Sequence, residues 1–372
     1  MKIAILTQPL RTNYGGILQN YALQQCLESM GNNVFTLDDI RIVKYSKWKY
    51  PLIITKRIVK RILGTSNIQP ILYEHRYKCD YKEFTKYTRD FVNKHIKLYP
   101  YKNLYKDLAP STFDVYVVGS DQIWRSDYYN IFHAFLDFTN GWKVKRIAYA
   151  VSFGKDEWMM TDKETEKCKL LACNFDAVSV REVSGIKLCG NHLGIHAIHV
   201  IDPTLLLSKE DYSSLVDMNT TKKSEGTMFV HILDKSKEKS ILISQLSKMY
   251  HATPFSVCQL KPEENLFEPI EERIQPPIEQ WLRAFIEAEY VVTDSFHASV
   301  FSIIFNKRFL VIANADRGLA RIKSLLSLFG LEKCLINNND KQLSFPEIDY
   351  NQINKQIIVQ REKAINFLKS YL

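Results

Sequence analysis

The 372-residue sequence contains no apolar stretch near the ~18 residues that a membrane-spanning helix needs; its best run, Val300 to Phe305, stops at Asn306-Lys307-Arg308. The first ten residues offer only Ile3-Ala4-Ile5-Leu6 before Gln8 and Pro9, too short for the core of a secretion signal. A soluble, cytoplasmic chain is expected. C-x-x-C pairs are missing as well. The seven cysteines are scattered and odd in number, which argues against a disulfide framework and for reduced thiols. Cys189, His192, His196 and His199 come nearest to a zinc set. His196 and His199, however, sit three apart where a strand begins and so point to opposite faces; no metal is expected. No helix-turn-helix, zinc-finger or RNP signature is present, so nucleic acid is not an expected partner. Internal repeats are absent too.

Acidic residues are missing from Arg41 to Tyr73, where Arg41, Lys44, Lys47, Lys49, Lys56, Arg57, Lys60 and Arg61 supply most of the net charge of +9. Ile53-Ile54, Ile58-Val59 and Ile62-Leu63 recur at helical steps, with the basic pairs between them and Trp48 and Tyr50 just before. Two readings stand. Residues 41–63 suit an anionic membrane surface, which would make the chain peripheral on the inner face of the plasma membrane. Alternatively, the apolar stripe packs on its own domain beneath a solvated basic face.

What is present fits a globular protein: 46% hydrophobic and 24% charged residues, in a length suited to about two domains of ~100–200 residues each. Lys2 to Thr7 reads as a strand, Gly15-Gly16 opens a helix that Gly31 stops, and Val34 to Leu37 is a second strand: a βαβ unit. Strand-to-loop junctions recur at Val118-Gly119, Ile147 to Gly154, Ala177 to Glu182 and Val200 to Pro203. The polar passage Asn219 to Gly226 divides a first α/β domain, 1–218, from a second, 227–350, where the alternation restarts. A helix over 351–372 follows, placed to pack back across the domains.

Ligands of open parallel sheets bind at the carboxyl ends of strands, where loops and helix N-termini converge. Four segments lie there. Asn13-Tyr14-Gly15-Gly16 lets backbone amides approach an anion or a sugar, or is simply a turn before a helix. Gly119-Ser120-Asp121-Gln122-Ile123-Trp124 follows an apolar strand and offers hydrogen-bonding groups and a flat indole; it also reads as a helix start capped by Ser120 or Asp121. Thr293-Asp294-Ser295-Phe296-His297 delivers an acid, a hydroxyl and an imidazole into a helix N-terminus, where the dipole should lower the imidazole's pKa. Arg317 and Arg321, four apart at a helix start, fit a phosphate or carboxylate.

These segments, with Gln19-Asn20-Tyr21-Ala22-Leu23-Gln24, Ser179-Val180-Arg181-Glu182 and Asp202-Pro203-Thr204, resemble the polysaccharide pyruvyl transferase family, in order from residue 13 to about 321. The resemblance implies two Rossmann-like domains facing across a GT-B-like cleft, the first on the acceptor side and the second on the donor side. It implies phosphoenolpyruvate as donor, a sugar diol as acceptor, in practice a lipid-linked oligosaccharide, and a pyruvate ketal plus phosphate as products. No cofactor enters that scheme. Arg181 and His297 would hold the donor. The family's Arg-Leu-His triplet reads Ser295-Phe296-His297 here, and Ala298 stands where many relatives have glycine, so Arg317 or Arg321 is expected to supply the charge that Ser295 lacks. Glu182 and Ser295 complete the expected donor side. Asn13, Tyr14, Gly15, Gly16, Gln19, Ser120, Gln122 and Trp124 form the expected acceptor side. His297 is expected as general acid or as phosphate ligand, with Asp121 or Asp294 taking the proton of the attacking hydroxyl. Two competing functions are a nucleotide-sugar glycosyltransferase on the same fold and, because of Ser295, a non-catalytic lipid-surface assembly protein.

Overall fold

Neighbouring residues of one strand enter different cores. In strand β1 (Lys2–Leu6), Ile3 and Ile5 join one apolar cluster while Ala4 and Leu6 join another. β3 (Val115–Val118) repeats the pattern, with Val115 and Val117 in the first cluster and Tyr116 and Val118 in the second. Beyond Lys2 these strands are apolar at every position because both faces of the sheet are covered, as parallel sheets require. The computed structural model describes residues 1–39, 48–63, 70–257, 266–314, 318–337, 340 and 343–372.

The first sheet adds β2 (Asn33–Leu37), β4 (Lys145–Val151), β5 (Ala177–Val180) and β6 (Ile198–His199), in the order β2-β1-β3-β4-β5-β6 with every pair parallel. The second contains β7 (Met228–His231), β8 (Pro254–Phe255), β9 (Tyr290–Thr293), β10 (Arg308–Ile312) and β11 (Leu335–Ile336), in the order β11-β10-β9-β7-β8, again all parallel. The protein is therefore α/β, with two Rossmann-like sheets. Strand order reverses between β1 and β3 in one sheet and between β7 and β9 in the other. Loops leaving those four strands diverge and open the crevices in which such sheets bind ligands.

Local chemistry sets the helices beside these points. Asn13 caps Tyr14–Ser29 by accepting from the Gly16 amide, and Gly31, at φ 83°, ends that helix in the left-handed conformation. Ser295 caps Phe296–Ile304 by accepting from the Ala298 amide. No helix follows Gly119-Ser120 directly: Asp121 to Trp124 form a turn, so the capped-helix reading of that segment does not hold.

The domains touch at several places. The Tyr14 hydroxyl donates to the Pro276 carbonyl (2.6 Å), the Gln275 amide donates to the Phe84 carbonyl (3.1 Å), and the Val183 amide donates to Ser324 Oγ (3.1 Å). The helix Tyr350–Tyr371, capped by Asp349, leaves the second domain and lies on the first. Its Arg361 donates to the Leu205 and Leu207 carbonyls (2.9 and 2.8 Å), Phe367 meets Tyr149, and Lys145 Nζ donates to the Leu372 carbonyl (2.6 Å).

The basic helix forms over Tyr50–Ile62, with Pro51 in its first turn, and none of its residues is buried. Residues 40–47 lie outside the described residues. Tyr50, Ile53, Ile54 and Arg57 form its half-buried side, and Arg57 grips Glu74 through both terminal nitrogens (2.9 and 2.6 Å). The rest of the expected apolar stripe does not pack on the domain. Among the described residues, no helix is long and apolar enough to cross a membrane.

Candidate active site

A buried cluster of charged side chains fills the space between the two domains. Arg181, just past β5, is 3% exposed and donates from Nη1 to Asp202 Oδ2 (2.6 Å) and from Nη2 to Asp121 Oδ1 (3.2 Å). Asp121 follows β3 and Asp202 follows β6, so three strand ends of the first sheet converge here. Asp202 is held from both sides: Oδ1 accepts from the Thr204 amide (2.9 Å) and hydroxyl (2.6 Å), and Oδ2 accepts from Ser120 Oγ (3.2 Å). Asn13 Nδ2 donates to Asp121 Oδ2 (3.2 Å).

The second domain closes the cluster. Arg321 Nη1 lies 3.5 Å from the same Asp121 Oδ1 that Arg181 uses. The Phe296 ring lies under both guanidiniums, at 4.5 Å from Arg181 and 5.4 Å from Arg321, where its electron-rich face favours cations. His297 points Nε2 towards Asp202 Oδ2 at 3.8 Å, and that buried nitrogen has no hydrogen-bond partner among the described residues. Two glycines make the approach possible. A Cβ on Gly15 would fall 2.1 Å from His297 Cγ, and one on Gly318 would fall 2.6 Å from the Gly154 carbonyl oxygen. Gly318 also takes φ 79°, which favours glycine.

The electrostatics follow from burial and pairing. Burial would raise the Asp121 pKa, but Arg181, His297 and Arg321 outweigh it and hold it down to about 2. Asp202 is lowered in the same way, burial being overcome by Arg181 and His297. Burial pushes Arg321 down to about 10, with Arg181 adding repulsion, so it remains a cation near neutral pH. His297 also lies below the ordinary histidine value. The sequence reading expected that direction from the helix dipole; the main cause is burial, opposed by Asp202 and Asp121.

Of the residues expected in the site, Asn13, Gly15, Ser120, Asp121, Arg181, His297 and Arg321 come together in this cluster. Glu182 is its buried neighbour. Its Oε1 accepts from Ser152 Oγ (3.0 Å) and from the Phe153 and Gly154 amides (2.7 and 3.3 Å), so it shapes that loop, and burial raises its pKa. Gly16 and Ser295 serve as helix-start positions, Tyr14 bridges the domains, and Gln19 is buried between Thr7, the Gly16 carbonyl and the Ser120 amide. Gln122 accepts from Arg125 (3.1 Å). Arg317 lies outside the described residues.

Two expected residues take other places. Trp124 is 1% exposed, stacks on Phe135 at 4.4 Å and donates to the Ala134 carbonyl (3.2 Å). As a core residue it offers no face to a sugar. Asp294 is fully buried and accepts from the Leu233 and Asp234 amides (2.6 and 3.2 Å), Lys239 Nζ (2.7 Å) and Asn314 Nδ2 (3.4 Å). It ties β9 to the loop after β7 instead of facing the cluster.

Two members of the cluster and one buried histidine near it were not singled out from the sequence. Asp202 was visible only as part of a motif, although an acid just after a strand is the same signal that marked Asp121. Phe296 was named only within the Ser295-Phe296-His297 triplet, with no role of its own. His231, at the end of β7, accepts at Nδ1 from Trp281 Nε1 (3.4 Å), and burial lowers its pKa to about 4. The cysteine-histidine set does not converge: His192 stacks on Trp158 at 4.4 Å, and His199 Nε2 contacts the Arg181 carbonyl at 3.0 Å. Among the described residues, no group of three His, Cys, Asp or Glu side chains is placed to hold a metal ion.

Beside the cluster, at the carboxyl ends of β1, β2 and β3, lies a cavity of about 590 Å³. Gln8, Arg11, Asn13, Asp127, Tyr128 and Asn130 are among its lining residues. Asn13 belongs to both cavity and cluster.

No curated protein matches this sequence. Among solved structures, the UDP-GlcNAc 2-epimerase of Methanocaldococcus jannaschii in complex with UDP-GlcNAc and UDP is similar at 13% identity, covering 97% of this chain and 93% of that one, with a TM-score of 0.45. The S. aureus MnaA-UDP co-structure is 10% identical over 100% and 91% of the two chains, with a TM-score of 0.45. Acinetobacter baumannii MurG is 9% identical over 98% and 94%, with a TM-score of 0.41. A family model described as polysaccharide pyruvyl transferase matches residues 13–317, which span every member of the cluster except Arg321. On that match over most of its length, the chain belongs to the polysaccharide pyruvyl transferase family.

Proposed function

We propose that this transferase moves the enolpyruvyl group of phosphoenolpyruvate onto two hydroxyls of one sugar, giving a cyclic pyruvate ketal and phosphate in cell-surface or exopolysaccharide synthesis. The observation that carries the reading is the interdomain cluster, in which two arginines and two aspartates surround an imidazole with an unpartnered, buried Nε2. In the reaction the donor's methylene carbon gains a proton and becomes a methyl group. One sugar hydroxyl adds to the neighbouring carbon and the second displaces phosphate. Of the two hydroxyl protons released, one balances the proton taken up by the methyl carbon and the other leaves on phosphate.

Each demand of that chemistry has a residue. The donor's anionic groups compete with Asp121 for Arg181 and Arg321, which share its Oδ1, and a guanidinium suits either phosphate or carboxylate. Asp121, once released, is a carboxylate able to take a hydroxyl proton. His297 is held neutral by burial in the free protein, and an arriving trianion raises its proton affinity, so donor binding itself loads the proton at Nε2. That proton then goes to the methylene carbon or holds the phosphate. The neighbouring cavity, with its amides, acids and the 43% exposed Tyr128 ring, suits a saccharide acceptor. The acceptor is proposed to be a lipid-linked oligosaccharide met at the inner face of the plasma membrane.

The test incubates the protein with phosphoenolpyruvate and lipid-linked oligosaccharides, measuring phosphate release and the mass of the saccharide. Release that needs both substrates is expected, and His297→Ala should lower it by ~10²-fold or more. Turnover of a UDP-sugar with no use of phosphoenolpyruvate would replace this reading with a glycosyltransferase.

A further inference from the structure

The basic helix Tyr50–Ile62 carries apolar residues on two sides, and only one of them faces the protein. Successive residues advance by about 100° around a helix, so Leu52, Thr55, Val59, Ile62 and the following Leu63 share one side, opposite Tyr50, Ile53, Ile54 and Arg57. Exposure follows that division: Leu52 is 72% exposed, Val59 47%, Ile62 79% and Leu63 69%, whereas the opposite side is half-buried. Trp48, just before the helix, is 90% exposed. Lys56 and Lys60 flank the outward stripe. Arg57 is turned inward, where its bidentate grip on Glu74 fixes how the helix sits.

A solvated surface helix normally presents charge outward and keeps its apolar residues on the packed side, so the second stripe, left outward here beside the half-buried Ile53 and Ile54, needs an occupant. Charge narrows the choice. The 33 residues from Arg41 to Tyr73 include eight lysines and arginines and no acid. A second copy of the same face would be repelled, and the phosphates of a nucleic acid would leave the apolar stripe in water. An anionic bilayer meets both properties at once: headgroups attract the flanking lysines while the stripe and Trp48 enter the boundary between headgroups and acyl chains.

We propose that this helix docks the protein on an anionic membrane by inserting Leu52, Val59, Ile62 and Leu63. The inference deepens the proposed use of a lipid-linked acceptor, yet its binding test requires no turnover.

The experiment measures co-sedimentation with vesicles of phosphatidylglycerol and phosphatidylcholine in equal parts, and with phosphatidylcholine alone, at low and high salt. Wild type should bind the anionic vesicles and shift the Trp48 emission to the blue, a signal absent from Trp48→Phe. An apolar variant carrying Leu52→Gln, Val59→Gln, Ile62→Gln and Leu63→Gln should bind ~10²-fold more weakly or less, because each side chain loses its transfer out of water. A charge variant carrying Lys56→Gln and Lys60→Gln should lose the preference for anionic vesicles. Unchanged circular dichroism and unchanged transfer to a water-soluble acceptor in both variants would separate docking from folding and from chemistry. Wild-type protein that stays off anionic vesicles, an apolar variant that binds like wild type, or a lipid-free dimer abolished by the apolar variant would each overturn the proposal.

Discussion

Replacing Gly15 by alanine adds one methyl group and removes no functional atom, so it isolates the fit between the domains. The added Cβ would lie 2.1 Å from His297 Cγ, 2.2 Å from Nδ1 and 2.5 Å from Cβ, where ordinary contact begins at 3.4 Å. Turning the imidazole cannot relieve this, because the third distance is to an atom fixed by the main chain. Helix Tyr14–Ser29 and helix Phe296–Ile304 must therefore separate by about 1 Å. Overpacking of that size costs about 1–3 kcal/mol. A misplacement near 1 Å costs turnover ~10²-fold when geometry is decisive. The expected result for Gly15→Ala is a lower melting temperature with phosphate release reduced by about two orders of magnitude. Adding His297→Gly to Gly15→Ala removes the imidazole and the Cβ that the new methyl meets, so the double variant should lose less stability than the two single losses added together. Wild-type melting and turnover in Gly15→Ala, or strict additivity in the cycle, would refute the contact.

Three further outcomes follow from the cluster and its surroundings. Arg181→Met leaves two buried carboxylates without their shared cation and should cost about 3–5 kcal/mol in urea unfolding, part of it recovered by adding Asp202→Asn; a loss under about 1 kcal/mol would contradict the network. Asp294→Asn should lower stability through the Lys239 pair yet leave turnover per folded molecule within about 2-fold, and a ~10²-fold loss in fully folded protein would return Asp294 to the chemistry. His231 is held to about 4 against ~6.5 when unfolded, so the unfolded chain binds more protons between those values. Stability should therefore be fully present above pH ~6.5 and fall as the pH drops towards 4, and His231→Gln should flatten that part of a melting-temperature profile.

What could be read from the sequence divides along local and non-local lines. Val115 to Val118 and Val291 to Thr293 announce themselves as buried strands because their apolar runs are continuous, and the residues just after them gain interest from the topology of parallel sheets. That logic reached Asp121 and His297; Arg181 came from the family resemblance alone. It could not separate Asp294 from them, because an acid at a strand end looks the same whether it faces a cleft or ties down the neighbouring loop. The difference lies in Lys239, Asn314 and the amides of Leu233 and Asp234, which only folding brings near. Trp124 misled for a similar reason: the rings that enclose it, Phe135 and Phe153, are invisible as neighbours until the loop closes. Gly15 was expected to let a backbone approach a ligand. What approaches is a side chain of the other domain, a pairing that no local pattern encodes. The orientation of the basic helix is likewise set by a contact distant in sequence, Arg57 with Glu74.

The return of helix Tyr350–Tyr371 to the first domain changes how that domain is made. Ile353, Ile357, Ala364, Phe367 and Leu368 belong to the same apolar cluster as Ile3, Ile17 and Tyr149. On a chain emerging from the ribosome, the earliest strands must then wait for one of the latest helices, and the entire second sheet can assemble in the interval. Topologically, the second domain is an insertion within the first. A nascent chain halted just after Tyr350 would carry all five strands of the second sheet joined to an unfinished first unit, with the carbonyls of Leu205 and Leu207 still lacking Arg361. A truncation within helix Tyr350–Tyr371 would therefore disturb the half of the molecule that was begun first.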